Sequence, residues 1–559
     1  MATIRENRSI RRTREIPSKT ILPPKYYLDY FNDLLSFVEK MYPRILSDHD
    51  HDFIQSFKSL TEQSQCLFIR LSNRKGPYFR FSKIRYEEIP DTTHCFEELL
   101  GKGFISTDIE FTADFYRLFL KSELIDHCKL SREYIKTNIK KIITELLQAT
   151  DDHRSLLGLD RVVKVEKQEN FEFLKFLYFG TFGMSMTEFV LKDIGNVKLE
   201  KINPKNIKPW CTVREEAVGA WNISVIRSNV KTLLRNIPVW DIHHQLDNID
   251  WDIYKKFAKS QLVLDKLAIE LGTKLEREGH LGIAMGYYGL SIKPPSRERQ
   301  IRIFEKLSRR EKAMRLAESI LENPQNASEQ IFANDFLRKK DKKMVRSTHL
   351  KLATARKLTL SPTNDKVEKQ VLKYFEQKGW QGFHCENYVW RNLYGLVFWD
   401  VLYDAKQNDV HHPLQRISPT VYMRQFFVNN KRKLVDRLDR LKNREDWEKE
   451  VNVLLKGKCG ITNPFVNWHP NLFKIIKNII GLVDLSAIKS VLLEICKSPK
   501  ENCTGFPDLF IWKDKDYYFY EVKSPNDQLS PQQLFWMDFF KSKNINIDII
   551  KVCYPTSIS

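Results

Sequence analysis

Apolar residues recur at three- and four-residue spacing through "YYLDYFNDLLSFVEKMYPRIL" (Tyr26–Leu46) and predict an amphipathic helix. "LKSELIDHCKLSREYIKTNIKKIITELL" (Leu120–Leu147) predicts two short helices around a turn at Lys129–Ser131, the second basic on its polar face. From about Trp251 to Asn334 the pattern is almost wholly helical, with breaks at "IKPPSRER" and "ENPQNASE". Near the C-terminus the pattern shortens. "DLFIW" reads as an apolar strand, "KDKD" as a polar turn and "YYFYEVK" as a second strand rich in β-formers. Ser530-Pro531-Gln532-Gln533 then offers an N-cap, a proline at the first helical position and a glutamine three residues after the cap. The helix it starts runs to about Lys541, and "INIDIIKVCY" supplies another strand, so the order is strand, strand, helix, strand.

The chain has 559 residues, room for three to four domains. At 42% hydrophobic and 29% charged residues it can fill several cores and is not a disordered protein. Lys and Arg number 91 against 71 Asp and Glu, a net charge of +20 spread over many segments, which points to a polyanionic partner and to nucleic acid first. Nine cysteines at irregular spacing, with no C-x-x-C, argue against a zinc ribbon or a disulfide framework and fit a reducing compartment. No apolar run is long enough for a transmembrane helix, and the arginine-rich start "MATIRENRSIRRTREIPSKT" reads as a flexible basic tail.

Two stretches suit nucleic acid. "QCLFIRLSNRKGPYFRFSKIRY" (Gln65–Tyr86) interleaves Arg70, Arg74, Lys75 and Arg80 with aromatics, a composition for phosphate contact plus base stacking or for a helix or hairpin with its rings in the core. "LRKKDKKMVRSTHLKLATARK" (Leu337–Lys357) is a dense basic run leading into the C-terminal region. "SRERQIRIFEKLSRREKAMRLAESILENP" (Ser296–Pro324) is a helix–turn–helix unit with Ala313 and Ala317 where helices would cross, the pattern of a tetratricopeptide-type pair.

The strand "YYFYEVK" carries the chemistry. Alternation puts Phe519, Glu521 and Lys523 on one side and Val522 on the other, while Asp508 stands where the neighbouring strand begins. Two carboxylates and an ammonium converging at one end of a small sheet are costly unless compensated, and a divalent cation compensates them. Asp508 and Glu521 then read as metal ligands. Lys523 reads as the group that positions water or the scissile phosphate in metal-assisted phosphodiester hydrolysis.

Pro507-Asp508 followed by Glu521-Val522-Lys523 resembles the PD-(D/E)XK nuclease motif. The longer string "GFPDLFIW…EVKSPNDQLSPQQLFW" resembles the VRR-nuclease domain of the Fanconi-associated nuclease family. "FIRLSNRKGPYFR", "LYFGTFGMSMTEFVLKDIG" and "SRERQIRIFEK" also look like family segments, so the resemblance spans most of the chain. It implies a multidomain protein, mainly α-helical in its N-terminal and central regions, with a C-terminal α/β, restriction-endonuclease-like domain. The expected divisions are a helical basic DNA-binding domain (1–110), a SAP-type DNA-binding region and linker (111–250), a tetratricopeptide-like domain (251–370) and the catalytic domain (371–559). It implies a further acidic ligand on an upstream helix, placed at Glu386 in "QGFHCENYVWRNLYGLVFWDVLYD" (Gln381–Asp404). The ligand set becomes Glu386, Asp508, Glu521 and the Val522 carbonyl, for Mg²⁺ or Mn²⁺, two per site. Gln533 is a candidate phosphate contact as well as a cap residue.

The resemblance further implies cleavage near 5′ flaps with 5′-to-3′ exonuclease activity in interstrand crosslink repair, on branched or flapped double-stranded DNA. The family's eukaryotic members begin with a ubiquitin-binding zinc finger. This chain lacks the cysteine pair for one and resembles shorter, bacterial-type members, which implies a cytoplasmic enzyme acting on the nucleoid, or a nuclear one in a eukaryote. The competing readings are another PD-(D/E)XK enzyme, restriction-type or Holliday-junction-resolving, and a non-catalytic DNA-binding scaffold. His384-Cys385-Glu386 matches the H-x-E of zinc deaminases, but the P-C-x-x-C that chemistry needs is absent. His411-His412 before Pro413 reads as a surface pair, and Asp400 and Asp404 as helix-ending residues. No Gly-rich phosphate loop is present, so ATP is not implied.

Overall fold

The structure, a computed structural model, describes residues 22–148, 154–195, 197–338 and 346–555. The N-terminal basic tail and residues 339–345 of the Leu337–Lys357 run lie outside the described residues. The chain forms two compact units, Met1–Val197 with Pro209–Trp221, and Lys198–Lys208 with Asn222–Ser559.

In the first unit, helices Tyr26–Met41, Asp48–Lys58, Glu62–Ser72 and Gln168–Phe179 meet through Phe31, Phe57, Phe68 and Phe171, with Phe31 and Phe171 ring centroids 4.8 Å apart. A small antiparallel sheet, β1 (Tyr78–Arg80), β2 (Ile105–Ser106) and β3 (Val162–Val165), has order β1-β3-β2. The predicted helical pair forms as Lys121–His127 and Ile139–Gln148. Lys129 turns the chain at φ 52°, Leu124, Ile142 and Leu146 go into the core, and Lys136, Lys140 and Lys141 stay in water.

The aromatics of Gln65–Tyr86 go mostly inward, and so does one arginine. Phe68, Tyr78 and Phe79 are buried. Arg80, only 9% exposed, gives Nη1 to Glu123 at 2.7 Å and Nε to Asp160 at 3.1 Å, tying β1 to the helical pair and to the approach to β3.

In the second unit, helices Ala258–Arg277, Leu281–Gly289, Ser296–Lys306, Arg310–Glu322 and Ala327–Leu337 follow one another as packed neighbours. Ala313 and Ala317 are fully buried where the sequence puts a helix crossing. A five-stranded mixed sheet follows: β4 (Arg356–Thr359), β5 (Gln381–His384), β6 (Leu509–Lys513), β7 (Asp516–Lys523) and β8 (Ile547–Cys553), in the order β4-β8-β7-β6-β5. β4, β8 and β7 run parallel, and β6 is antiparallel to both β7 and β5. Strand, strand, helix, strand is the order read from the sequence.

Both faces of this sheet are covered, which is why "YYFYEV" has no polar stripe. Phe510, Phe519, Ile547 and Ile549 pack with helices Tyr388–Val397 and Pro531–Ser542. Leu509, Ile511, Tyr520, Val522 and Ile550 face Val371 and Phe375 of helix Val367–Gln377. His411 and His412 depart from their expected surface position. His412 is buried, and desolvation pushes its imidazole down to about 3 and that of His411 down to about 4. The turn before Pro413 folds inward because Gln415 accepts the His411 backbone N–H at 2.7 Å.

Replacing Arg80 by Ala strands two carboxylates, one of them buried, and is expected to cost about 3–5 kcal/mol of stability. Urea unfolding of Arg80→Ala checks it; an unchanged midpoint would mean the pairs contribute nothing.

Candidate active site

The site forms where β5, β6 and β7 end together. In the pairing registers His384 lies across from Leu509, and Leu509 across from Tyr520. The next row sets Asp508 beside Glu521. Asp508 ties the three strands: its carbonyl accepts the N–H groups of Cys385 at 2.7 Å and Glu386 at 3.1 Å, and its Oδ2 accepts that of Val522 at 2.8 Å.

Glu521 is 1% exposed, and Lys523, two residues along the same face, is also buried. Lys523 Nζ lies 2.8 Å from Glu521 Oε1. Burial pushes the Asp508 carboxyl up to about 6, against the Val522 N–H and the Lys523 charge. Burial, and then the neighbouring Asp508 charge, push Glu521 up to about 8, with Lys523 opposing. One ammonium does not neutralise two carboxylates, one of them buried and the other partly so.

Gln533 holds this pair, a role not read in the sequence. Helix Pro531–Ser542 opens with the capping box that the sequence predicts, Ser530 Oγ taking the Gln533 N–H and Gln533 Oε1 the Ser530 N–H. The same Oε1 accepts from Lys523 Nζ at 3.0 Å, while Nε2 donates to Glu521 Oε1. The cap and the charged pair therefore share one side chain. The spacing showed the cap; only the tertiary fold shows that its free end meets Glu521.

The flanks of the motif are structural. Gly505 has φ +81°, and a Cβ there would meet Gln532 Cγ at 2.7 Å, so the chain entering Pro507-Asp508 passes against the helix start only as glycine. Phe506 stacks on Trp536 at 4.2 Å. These contacts explain "GF" before "PD" and the tryptophan of "QQLFW".

Glu386 lies ahead of helix Tyr388–Val397 and not on it. Its φ of +30° is incompatible with an α-helix and rare for a side chain of this size, a strain that its bond to the Asp508 carbonyl holds in place. Its carboxylate is about half exposed, accepts from Asn387 Nδ2 at 3.2 Å and stands 4.0 Å from His384 Nε2. The structure thus joins Asp508, Glu521, Lys523 and Gln533 by side chain and brings Glu386 alongside by backbone. Among the described residues no three His, Cys, Asp or Glu side chains converge as a metal cluster.

The donors fit a hard divalent cation. The available groups are carboxylates and the backbone at Val522, whose side chain is packed on the opposite face. Cys385 is no soft ligand: its Sγ donates to the Pro507 carbonyl at 3.3 Å, and burial holds its thiol well above the usual range.

The predicted DNA contacts in the first unit divide. Arg70 is taken by Glu88 at 2.5 Å and lies over the Tyr27 ring, and Arg80 is taken by its two carboxylates. Arg74 and Lys75 are exposed. Asp404 accepts from Lys433 at 2.6 Å, and Asp400 is exposed on the short helix Trp399–Leu402.

Comparison with known proteins gives two matching family models: "FAN1, HTH domain" over residues 25–106 and "VRR-NUC domain" over residues 442–553. The chain is 23% identical to the Fanconi-associated nuclease 1 homolog of Pseudomonas aeruginosa, over 96% of this chain and 97% of that one. It is 22% identical to the Arabidopsis thaliana homolog, over 95% of this chain and 67% of that one. A crystal structure of paFAN1 bound to 2nt 5′ flap DNA with a gap superposes with a TM-score of 0.83 at 21% identity, covering 96% of this chain and all of that one. A second, with a 1nt 5′ flap, gives 0.81 at 22% identity with the same coverage.

Asp508 and Glu521 both bind protons more tightly folded than unfolded. The stability they contribute is present below about pH 4 and is lost as pH rises through about 6 for Asp508 and about 8 for Glu521. Asp508→Asn keeps the acceptor for the Val522 N–H and removes one charge. Without divalent metal it is expected to melt above the parent protein at pH 8, with the gap closing toward pH 4. Calorimetry in chelator at both pH values checks this; a gap independent of pH would place its origin elsewhere.

Proposed function

We propose that this chain, a member of the Fanconi-associated nuclease family bearing its HTH and VRR-NUC domains, is a structure-specific DNA nuclease that cuts near 5′ flaps and degrades 5′ to 3′. The observation that carries the reading is the pairing of partly buried Asp508 with fully buried Glu521, facing Lys523 at one end of the mixed sheet, inside the matched VRR-NUC segment. The nuclease domain implies dependence on a divalent metal. We assign that role to Mg²⁺ or Mn²⁺, two per site, held by Glu386, Asp508, Glu521 and the Val522 carbonyl. When bound, the cation supplies Lewis-acid polarisation of the phosphoryl oxygen and a nucleophilic water.

The chain's own groups do the rest. Asp508, fixed by the Val522 N–H, and Glu521, fixed by Gln533, present their oxygens at one place without reorganising. Lys523 keeps its ammonium at the reacting end, where it orients the attacking water or meets charge developing on the phosphate. Gln533 Oε1 holds that ammonium on one side, so the lysine's freedom is spent before substrate arrives.

Branched or flapped DNA is the substrate, as the paFAN1 structures bind flaps. Arg74 and Lys75 are the phosphate contacts of the HTH domain. Residues 111–250 act as a SAP-type DNA-binding region, 251–370 as a tetratricopeptide-like domain and 371–559 as the catalytic domain. Interstrand crosslink repair on the bacterial nucleoid is the setting. Among the described residues no helix is long and apolar enough to cross a membrane.

Glu386→Gln is expected to lose cleavage of a labelled 5′ flap as completely as Asp508→Asn, with stability within about 0.5 kcal/mol of the parent because the side chain is exposed. His384→Ala is expected to lose far less. Flap, nick, gap and four-way junction substrates, each with Mg²⁺, Mn²⁺ or chelator, provide the assay. Undiminished cleavage by Glu386→Gln would remove that residue from the ligand set, and cleavage in chelator would overturn the mechanism.

A further inference from the structure

Beside Glu386 the second unit holds an open cleft of about 520 Å³, walled by the end of β5, the first turns of helix Tyr388–Val397 and residues 464–467. Its volume lies within the roughly 300–1,000 Å³ of small-molecule sites, more than a bare phosphate fills. The wall is built. Asn392 Oδ1 accepts the Asn467 N–H at 2.7 Å, and Asn463 Nδ2 reaches the Gly395 carbonyl at 3.2 Å. A Cβ on Gly395 would meet Val466 at 2.7 Å and Phe465 at 2.8 Å, so the segment lies flat on the helix only because that residue is glycine.

Arg391 is the cation of this cleft. Its Nη2 donates to the Pro464 carbonyl at 2.8 Å, which fixes the guanidinium. Its Nε is buried without an acceptor, and among the described residues no carboxylate pairs with it. Among the described residues Glu386 is the only acid lining the cleft. Arg391 also lies four residues, about one helical turn, beyond Asn387, whose amide holds the Glu386 carboxylate. A fixed guanidinium without a counter-charge is a phosphate receptor. Tyr388 and Phe465 supply an apolar wall for a sugar or base.

We propose that this cleft is a nucleotide subsite, in which Arg391 receives the phosphate of the DNA strand next to the one being cut. The proposal rests on the nuclease reading above and deepens it. Arg391 would contribute to holding the strand and not to bond breaking, so its loss raises KM more than it lowers kcat.

The experiment is a methylphosphonate scan of a 5′-flap strand around its cut site, with the full-length protein and Mn²⁺, on the parent, Arg391→Gln and Arg391→Lys. In the parent, one position adjacent to the scissile bond is expected to raise KM by about 10- to 100-fold when its phosphate is neutralised, the range for a lost charged hydrogen bond. Arg391→Gln is expected to show a similar rise on ordinary DNA and no further rise at that position. Arg391→Lys keeps the charge and is expected to keep the same sensitive position with a smaller effect. Losses that multiply at every position, or an Arg391→Gln enzyme with the parent KM, would overturn the subsite. Should Arg391→Gln melt early through loss of its Pro464 bond, the lysine variant decides alone: no position distinguished in it or in the parent overturns the proposal. A parent protein that cuts no flap sinks the nuclease reading, whereas one that cuts with uniform phosphonate sensitivity sinks only the subsite.

Discussion

Asp508 accepts backbone N–H groups from the strands on both sides of its own. Cys385 and Glu386 reach its carbonyl, and Val522 reaches its carboxylate. A residue bound in this way cannot move without disturbing β5 and β7 together. The same three bonds carry Glu386 to the edge of the site with an unfavourable φ, fix the row in which Glu521 stands, and turn the Val522 backbone toward Asp508. The position of each proposed ligand thus descends from one peptide unit and its side chain.

That arrangement is expensive without a cation. Two carboxylates share a largely desolvated place with one lysine, and desolvation raises the proton affinity of both. The rest of the domain offsets it. The sheet is packed on both faces, with Phe519 on one and Val522 on the other, so the strand ends are held rigid beneath the charged row. Gln533 adds hydrogen bonds to both Glu521 and Lys523 without adding charge. A divalent cation held between these carboxylates would relieve that cost, a common balance between stability and activity.

Much of this was legible beforehand because short-range rules decide it. Ser530 with Pro531 and Gln533 forms the predicted capping box, since a cap needs only the residues within one turn. The two strands around the "KDKD" turn lie where alternation and β-propensity put them. The fully buried Ala313 and Ala317 followed from small residues at helical spacing. Arg70 and Arg80 were less legible. Their spacing among aromatics suits phosphate contact equally well, and only the arrival of Glu88, Glu123 and Asp160 from elsewhere in the chain shows that their charges are already paired. His412 misled for the same reason: burial depends on what packs over a turn, not on the turn itself.

The sequence by itself determined the helical and strand segments, the charge that calls for a nucleic-acid partner, and the Asp508, Glu521 and Lys523 set, because these follow from neighbours a few residues apart and from a motif of fixed spacing. Tertiary structure alone decided the rest. It placed Glu386 against Asp508 across more than a hundred residues, closed Gln533 onto Glu521, and opened a cleft around Arg391. No local rule reaches these, since each depends on strand register and on close approaches at Gly395 and Gly505 that exist only once the sheet and its covering helices have packed.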